Sequence, residues 1–397
     1  MSKLNTTLLL AAAMFLEAVG YGIAAPTLPF IALELGANEF ETGLVFGLYA
    51  LVGVIGVIPL GLLADRFGRR VLIYIGLAAL AIGSLGFGLA PSLGLLYVAR
   101  LFQGIGGNAI WVGCLSMQGD LSSREGMARS LSWLTAAWSL GFMMGPLLGA
   151  VGETYRTPYY IYAVVSALAF VGSIAYLPES FRSSAKFSVG NFLRVLRLPN
   201  LWVSGTVVFL MAAFYGAFEA FVPRYLNDQG VPRSMMGVLF CGLALPTIVL
   251  PPLIGRITDR LGDSLLLRYS LPVWVVLIGG SMYLMDLMHP MVAFVLLGAA
   301  EVFILMPSLA ILHRRVPTEI RGSASSANNF MFSLGFMIGP TLAGHAILSG
   351  ASYHSVYVTI GLVGIPATLF VYRILRRLNG VVPGDTAADM GAVLDPP

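Results

Sequence analysis

The sequence predicts an all-α membrane protein with twelve transmembrane helices in two pseudo-symmetric six-helix bundles. Of the 397 residues, 57% are hydrophobic and only 11% are charged, with a mean hydropathy of +0.85. Soluble domains carry about 25% charged residues, so this chain has too few to cover soluble domains. The apolar residues also fall in runs of about twenty, and the second half of the chain repeats the first.

Twelve apolar runs, separated by charged or turn residues, define the predicted spans. A hydrocarbon core about 30 Å thick needs about 20 helical residues, which each run supplies. The runs are 6–32, 42–63, 70–90, 93–118, 131–151, 158–177, 200–226, 234–255, 266–287, 290–312, 324–347 and 353–374. A polar linker, 179–199, is predicted to join an N-terminal bundle, 1–178, to a C-terminal bundle, 200–377. Residues 378–397 are predicted to form a disordered cytoplasmic tail.

The basic residues predict the orientation of the chain. All but four of the 23 lysines and arginines fall on one side of the membrane when the spans are numbered in turn; the exceptions are Arg100, Arg156, Arg224 and Arg233. By the positive-inside rule, both termini are cytoplasmic. Because the arginines are scattered between apolar runs, nucleic-acid binding is not expected.

The two halves match at a constant offset of 194 residues. Asp65, Arg66 and Gly68 fall on an identical Asp-Arg-x-Gly at 259–262. SLGFMMGP (139–146) falls on SLGFMIGP (333–340), with seven of eight positions identical. Shared membrane composition explains common leucines and glycines but not a shared charged motif. Two parallel six-helix repeats are typical of transporters that rock around a site at the repeat interface.

Four segments resemble those of the major facilitator superfamily. GLLADRFGRR (61–70) is similar to its loop signature between spans two and three. RLFQGIGG (100–107) and GFMMGPLLGA (141–150) resemble the fourth- and fifth-span signatures of its drug:proton antiporters, and FLEAVGYGIAAPTLPF (15–30) resembles the first span of tetracycline efflux proteins. The fifth-span motif usually ends in two glycines, but Ala150 follows the last one here. Glu17 stands where the tetracycline proteins tend to have aspartate, so substrate identity is not inherited.

The resemblance implies a secondary active transporter, not an enzyme. We expect a monomeric, multi-pass protein of the bacterial cytoplasmic (inner) membrane that exports an amphipathic organic compound or drug in exchange for protons by alternating access. The proton gradient would supply the energy, with no cofactor and no metal. The alternative is a proton-coupled uptake symporter or facilitator of sugars or other small metabolites on the same fold. Proton-driven accumulation in inside-out vesicles would distinguish export from uptake.

The loop between spans two and three is expected to act as a conformational latch. Its glycines permit a tight turn, and its charges can form ion pairs in one state and break them in another. A positive-inside anchor alone would explain the arginines but not the aspartate or the spaced glycines. The residues assigned to the latch are Gly61, Asp65, Arg66, Gly68, Arg69 and Asp120, the last as a partner for Arg66 or Arg69.

Small residues in spans five and eleven are expected to form a tight, bending interface between the two halves. Glycines spaced by four share one helix face and let backbones approach closely in lipid, and an internal proline kinks the helix. The role is structural and gating, without substrate chemistry. The residues are Gly141, Gly145, Pro146, Gly149, Gly335, Gly339 and Pro340.

Charged residues inside spans are rare and are candidates for function by default. Glu17, Arg100, Glu219 and Glu301 lie one each in spans one, four, seven and ten. In the superfamily that the sequence resembles, these spans line the central cavity. For proton coupling we rank Glu17 first, then Glu301, then Glu219. An ion pair or a shared hydrogen-bond network between Glu17 and Arg100 is expected. Each charge could instead form a structural pair, and Glu219 could simply reach water.

Further residues are assigned to the substrate cavity by helical spacing and by proximity to these charges. Aromatic rings beside a carboxylate can bind an amphipathic or cationic molecule, although packing or lipid contact is the stronger explanation for these rings. The cavity set is Glu17, Tyr21, Arg100, Gln103, Trp111, Trp138, Tyr215, Phe218, Glu219, Glu301 and Asn329.

Overall fold

The computed structural model describes residues 3–122, 127–179, 189–314, 316 and 320–379. Within these residues the chain is entirely helical. The first six long helices are α1 (Lys3–Glu34), α2 (Glu39–Phe67), α3 (Arg69–Leu89), α4 (Leu93–Leu121), α5 (Met127–Gly149) and α6 (Thr157–Tyr176). Each corresponds to one predicted span. Together they form the N half.

The C half follows a short helix, α7 (Val189–Val195), which lies in the predicted polar linker. The helices of the C half are α8 (Pro199–Asp228), α9 (Arg233–Val249), α10 (Pro251–Leu261), α11 (Asp263–Gly279), α12 (Ser281–Leu287), α13 (Pro290–Arg314), α14 (Arg321–Leu348) and α15 (Tyr353–Asn379). The predicted disordered tail begins within the last turn of α15, and its residues from 380 onward lie outside the described part of the chain.

Among the described helices, nine are long and apolar enough to cross a membrane, and two bent pairs bring the number to eleven. The one predicted span missing from this count is the fourth, which is α4. This helix is 29 residues long, and its polar Arg100 and Gln103 lower its hydropathy. The fold is therefore that of twelve transmembrane helices in two six-helix bundles.

Two spans predicted as single helices are broken. The eighth bends by 45° between α9 and α10, and the ninth by 66° between α11 and α12. Pro251 and Pro252 begin α10, and a proline lacks the N–H that would continue the hydrogen bonds of α9. Gly279 and Gly280 lie at the other break, where the missing side chains leave the backbone free to bend.

The repeated Asp-Arg-x-Gly motif ends a helix in each half. Gly68 separates α2 from α3 with φ +92°, and Gly262 separates α10 from α11 with φ +89°. A side chain at such a φ would be strained, so only glycine makes this turn without cost. The two turns confirm the internal repeat at the level of the backbone.

The start of α1 and the end of α15 lie at the same end of the bundle, together with the α2–α3 turn, because the twelve spans alternate in direction. We call this the proximal end and the opposite one the distal end. Within each half, α1 packs on α5 and α8 packs on α14. Between the halves, α2 packs on α14 and α5 packs on α9.

The glycines of the fifth span do not face the other half as expected. A Cβ at Gly141 would overlap Phe15 O, and one at Gly145 would lie 2.6 Å from Val19 O, so both glycines seat α5 against α1. Gly149 likewise faces Pro26 of α1. In the C half, Gly335 and Gly339 face the backbone of α8 in the same way. This correction follows from geometry: equal spacing shows that residues share a helix face, but not which neighbour that face meets.

The two prolines of the repeated motif, in contrast, do lie between the halves. The Pro146 carbonyl of α5 meets Gly237 of α9, and the Pro340 carbonyl of α14 meets Gly43 of α2. The glycines are related by the 194-residue offset, as are the prolines, so the interface consists of the same contact made twice. Each glycine admits a backbone carbonyl where a side chain would not fit.

Charged side chains close the distal end. Arg233, at the start of α9, donates hydrogen bonds to the carbonyls of Gly149 and Thr154, both at 2.9 Å. Arg224 of α8 donates to Glu39 of α2 at 2.9 Å. Both contacts join the N half to the C half. The structure therefore has the two halves in contact at the distal end.

Candidate functional site

Glu17 lies inside the N half with its carboxylate held by two neutral donors. The Tyr49 hydroxyl donates to Oε1 at 3.1 Å and the Trp138 indole donates to Oε2 at 2.7 Å. Only 4% of the residue is exposed. Gly107 of α4 leaves room for the carboxylate, because a Cβ there would lie 2.8 Å from Oε1. In the part of the chain that the structure describes, the carboxylate is thus fixed by hydrogen bonds and not by a cation.

Arg100 is fully buried and does not pair with Glu17, contrary to the ion pair considered from the sequence. Its Nη1 donates to Gln103 Oε1 at 2.5 Å, while Nε and Nη2 have no hydrogen-bond partner among the described residues. The guanidinium lies 4.9 Å from the centroid of the Tyr49 ring. Since Tyr49 also binds Glu17, the two charges share one network through this tyrosine, which sequence reasoning missed.

Gln103 fixes that network to the backbone of the first helix. Its Nε2 donates to the Gly20 carbonyl at 2.8 Å, and its Oε1 accepts from Arg100. The guanidinium carbon also lies 5.2 Å from the Phe46 ring centroid. An arginine between aromatic faces keeps part of its electrostatic stabilisation through cation–π contacts.

Glu219 is deeply buried in the C half, with 1% of the residue exposed. The sequence left open that it reaches water; in this structure it does not. Tyr21 of α1 donates its hydroxyl to the carboxylate, at 3.1 Å from Oε2 and 3.3 Å from Oε1. This hydrogen bond crosses between the halves in the interior of the bundle.

Glu301 of α13 is half-buried and forms no hydrogen bond or ion pair in the described part of the chain. It is near enough to Glu219 and Tyr215 for electrostatic interaction with both. A carboxyl group without a fixed partner can exchange a proton without first breaking a contact. The structure thus brings Glu219 and Glu301 into one neighbourhood and keeps Glu17 in another.

An aromatic cluster connects the two neighbourhoods. The Tyr21 ring lies 5.2 Å from Tyr49, 5.8 Å from Phe142 and 6.2 Å from Phe336. Phe142 in turn lies 6.4 Å from Tyr215. Phe142 and Phe336 are related by the 194-residue offset, and so are Tyr21 and Tyr215. The repeat could have revealed both phenylalanines, which sequence reasoning did not assign to the site.

Two tryptophans border the cluster on the Glu17 side. The Trp138 ring stacks on Phe142 at 5.4 Å, and Trp111 packs edge-on against Trp138 at 5.9 Å. Trp133, in contrast, is 61% exposed and faces outward. The two tryptophans assigned to the cavity are therefore in contact with each other, and Trp138 also bonds the Glu17 carboxylate.

Two cavity candidates lie elsewhere in the C half. Phe218 is fully buried and packs 5.1 Å from Phe294 and 5.3 Å from Phe214, within the C-half core. Asn329 is half-buried on α14, and its neighbour Asn328 accepts a hydrogen bond from Ser204 at 2.9 Å. Phe218 thus supports the core behind the site and does not face the other half.

The latch residues gather at the proximal end. Arg69 Nε lies 3.5 Å from Asp120 Oδ2, so of the two arginines considered, Arg69 is the partner of this aspartate. Arg66 is exposed, with its guanidinium 5.2 Å from the Phe67 ring. Gly61 lies within α2, and the Asp65 side chain lies outside the described part of the structure. In the C half, Asp259 occupies the position of Asp65 in the repeat.

The C half makes a corresponding ion pair at its proximal end. There Asp259 pairs with Arg314, the residue that corresponds to Asp120 under the repeat. The pair is exposed, so its contribution to stability is small. The N-half pair joins α3 to α4, whereas the C-half pair joins α10, which corresponds to the end of α2, to α13, which corresponds to α4. The two pairs share the 120/314 position, where the charge is reversed.

Two six-helix bundles with buried charges and aromatic rings at their interface define a membrane transporter. The family model of the Major Facilitator Superfamily matches residues 10–287 and 225–390. The chain belongs to this superfamily and is an integral membrane protein.

Curated relatives cover nearly the whole chain. Multidrug resistance protein 1 of Bacillus subtilis is 26% identical over 93% of this chain and 97% of its own length. Quinolone resistance protein NorA of Staphylococcus aureus is 23% identical over 88% of this chain and 91% of its own.

Solved structures share the fold at lower identity. A bacterial homologue of the lysosomal transporter Spinster, in an inward-facing and unoccupied conformation, matches with a TM-score of 0.77 at 16% identity, over 94% of this chain and 97% of the other. The nucleoside transporter NupG matches with a TM-score of 0.76 at 15% identity, over 93% and 99%.

Proposed function

We propose that the chain exports amphipathic organic compounds, including drugs, in exchange for protons by alternating access. The observation that carries the proposal is the Glu17 carboxylate, which is buried and accepts from the neutral donors Tyr49 and Trp138, with no cationic partner among the described residues. A buried carboxylate without a cationic partner is costly, and a proton or a bound substrate relieves that cost. Competition between the two for one carboxylate is the simplest rule for antiport.

The aromatic cluster supports an amphipathic substrate. Rings from both halves surround Tyr21, so an apolar molecule could contact both halves at once. Rings beside carboxylates also suit a cationic group, through cation–π contact and charge attraction. Multidrug and quinolone resistance proteins among the relatives agree with this class of substrate.

Proton coupling is assigned to Glu17 first, then Glu301 and Glu219. The proximity of Glu301 to Glu219 supports a second protonation site, since two like charges close together repel each other and binding of one proton relieves that repulsion. The predicted distribution of basic residues supports cytoplasmic termini, and the relatives support the cytoplasmic membrane of a bacterium. The proximal end would then face the cytoplasm. We further propose that the protein works as a monomer.

Transport by inside-out vesicles tests this function. With an imposed proton gradient, vesicles holding the wild-type protein should accumulate a fluorescent amphipathic cation such as ethidium, and substrate addition should release protons from them. Glu17→Gln should abolish both while still binding the cation. Glu153→Gln, at an exposed distal loop residue, is the matched control and should transport normally. Accumulation only in right-side-out vesicles would instead establish uptake.

A further inference from the structure

The hydrogen bond between Tyr21 and Glu219 is a direct side-chain link between the halves in the interior. Tyr21 belongs to α1 of the N half and Glu219 to α8 of the C half, and the hydroxyl lies within 3.3 Å of both carboxylate oxygens. Tyr49 provides the counterpart within one half, since its hydroxyl bonds Glu17 and both residues belong to the N half. Two adjacent tyrosines therefore hold two carboxylates, one across the halves and one within a half.

Few other groups compete for Glu219. The charged and titratable groups that face it are Tyr21 from α1, Arg100 from α4, Tyr215 from α8 and Glu301 from α13. Among the described residues Tyr21 is the one that hydrogen-bonds the carboxylate. The strength of this link between the halves therefore depends on whether Glu219 carries its charge.

We propose that Tyr21 is a positioning residue that transmits the charge state of Glu219 to the contact between the two halves. The proposal rests on the proton-coupled transport argued above. A hydrogen bond from a hydroxyl to an ionised carboxylate is roughly twice as strong as one from the same hydroxyl to a neutral group. Protonation of Glu219 thus weakens the link and favours separation of the halves. From typical strengths of charged and neutral hydrogen bonds, the ratio of separated to closed molecules should rise about fivefold.

Cys241 reports the separation without a new label site. Its Sγ donates to the Met143 carbonyl at 2.8 Å, and the residue lies half-buried between α9 and α5. The second cysteine, Cys114, is fully buried in the N half and can be replaced by alanine to remove background. The rate at which N-ethylmaleimide alkylates Cys241, divided by the rate for unfolded protein at the same pH, then measures how often the halves separate.

A double-mutant cycle isolates the link. Tyr21→Phe removes one oxygen, and Glu219→Gln mimics the protonated carboxyl group. Each alone should raise the alkylation rate about fivefold, and the double variant should show no further rise, because both changes act on the same contact. Tyr162→Phe is the matched control, since its buried hydroxyl donates to the Leu16 carbonyl at 2.8 Å within the N half, and it should leave the rate unchanged.

The pH dependence gives a second readout. Wild-type and Tyr162→Phe proteins should alkylate faster at mildly acidic than at mildly alkaline pH, whereas Tyr21→Phe and Glu219→Gln should not respond. Additive effects in the cycle, an unchanged rate in Tyr21→Phe, or an equal rise in Tyr162→Phe would overturn the inference. Failure here with intact proton-driven export by the wild type would leave the proposed function standing. Absence of that export would refute the function instead.

Discussion

The repeated glycine–proline contact between the halves predicts the effect of a single methyl group. In Gly43→Ala, the new Cβ would overlap the Pro340 carbonyl oxygen and lie 2.8 Å from its carbon and 3.2 Å from Thr341 Cα. All three obstacles are backbone atoms of α14, which cannot turn aside as the end of a side chain could. The clash can be relieved only by moving α2 away from α14.

The size of the effect follows from where the clash acts. Overpacking by a methyl group in a well-packed interior costs about 1–3 kcal/mol. That cost arises only while the halves are in contact, whereas the gain in helix propensity from glycine to alanine, about 1 kcal/mol, is common to both states and cancels. The ratio of distally open to distally closed molecules should therefore rise about 5- to 150-fold.

The alkylation rate of Cys241 measures this ratio of open to closed molecules at a site away from the substitution. Gly43 lies at the α2–α14 contact, whereas Cys241 lies at the α5–α9 contact, so a faster reaction requires the halves to move as units. Gly172→Ala is the matched control, since no atom lies within 4 Å of a Cβ at this glycine of α6. An unchanged rate in Gly43→Ala with normal folding would refute the view that these contacts hold the closed state.

Two further substitutions test the ends of the bundle. Arg233→Ala removes hydrogen bonds to the carbonyls of Gly149 and Thr154, so it should also favour the distally open state. The loss of these charged hydrogen bonds should raise the ratio of open to closed molecules about tenfold. Arg233→Lys keeps the charge and should give a Cys241 alkylation rate between those of the wild type and Arg233→Ala. Asp65→Asn should abolish transport while the protein still inserts, because the latch loses its charge; vesicle uptake per amount of membrane-inserted protein checks this, and wild-type rates would disprove a latch role.

The fold could be predicted from the sequence because a bilayer imposes the length of every helix. All twelve apolar runs occur as helical spans, and the constant offset anticipated matching turns at Gly68 and Gly262. The breaks before α10 and α12 were missed because hydropathy does not register a bend. Consecutive prolines at 251–252 and glycines at 279–280 were the local signals that could have revealed them.

The charged members of the site could be found because charges within spans are rare, but their partners could not. The sequence predicted an ion pair or a shared hydrogen-bond network between Glu17 and Arg100; the structure has no ion pair between them, and Tyr49 contacts both. Which residues touch depends on the rotation of each helix about its axis, and helical spacing alone does not determine that rotation. For the same reason the fifth-span glycines were assigned to the wrong neighbour.

The internal duplication has preserved packing contacts between the two halves but not the charges in the interior. The glycine–proline contacts between the halves (Gly43 with Pro340 and Gly237 with Pro146) and two pairs of central rings (Tyr21 with Tyr215, Phe142 with Phe336) are related by the 194-residue offset, whereas each of the four interior charges occurs once. Glu17 corresponds to Met211, Glu219 to Ala25, Glu301 to Gly107 and Arg100 to Phe294. Substitutions at Glu17, Glu301 and Arg100 should therefore alter coupling without disturbing the paired contacts between the halves, whereas a substitution at Glu219 should also weaken the Tyr21 link between the halves. Substitutions in the paired contacts should instead shift the balance of states whatever the substrate, and this difference makes the two roles separable by experiment.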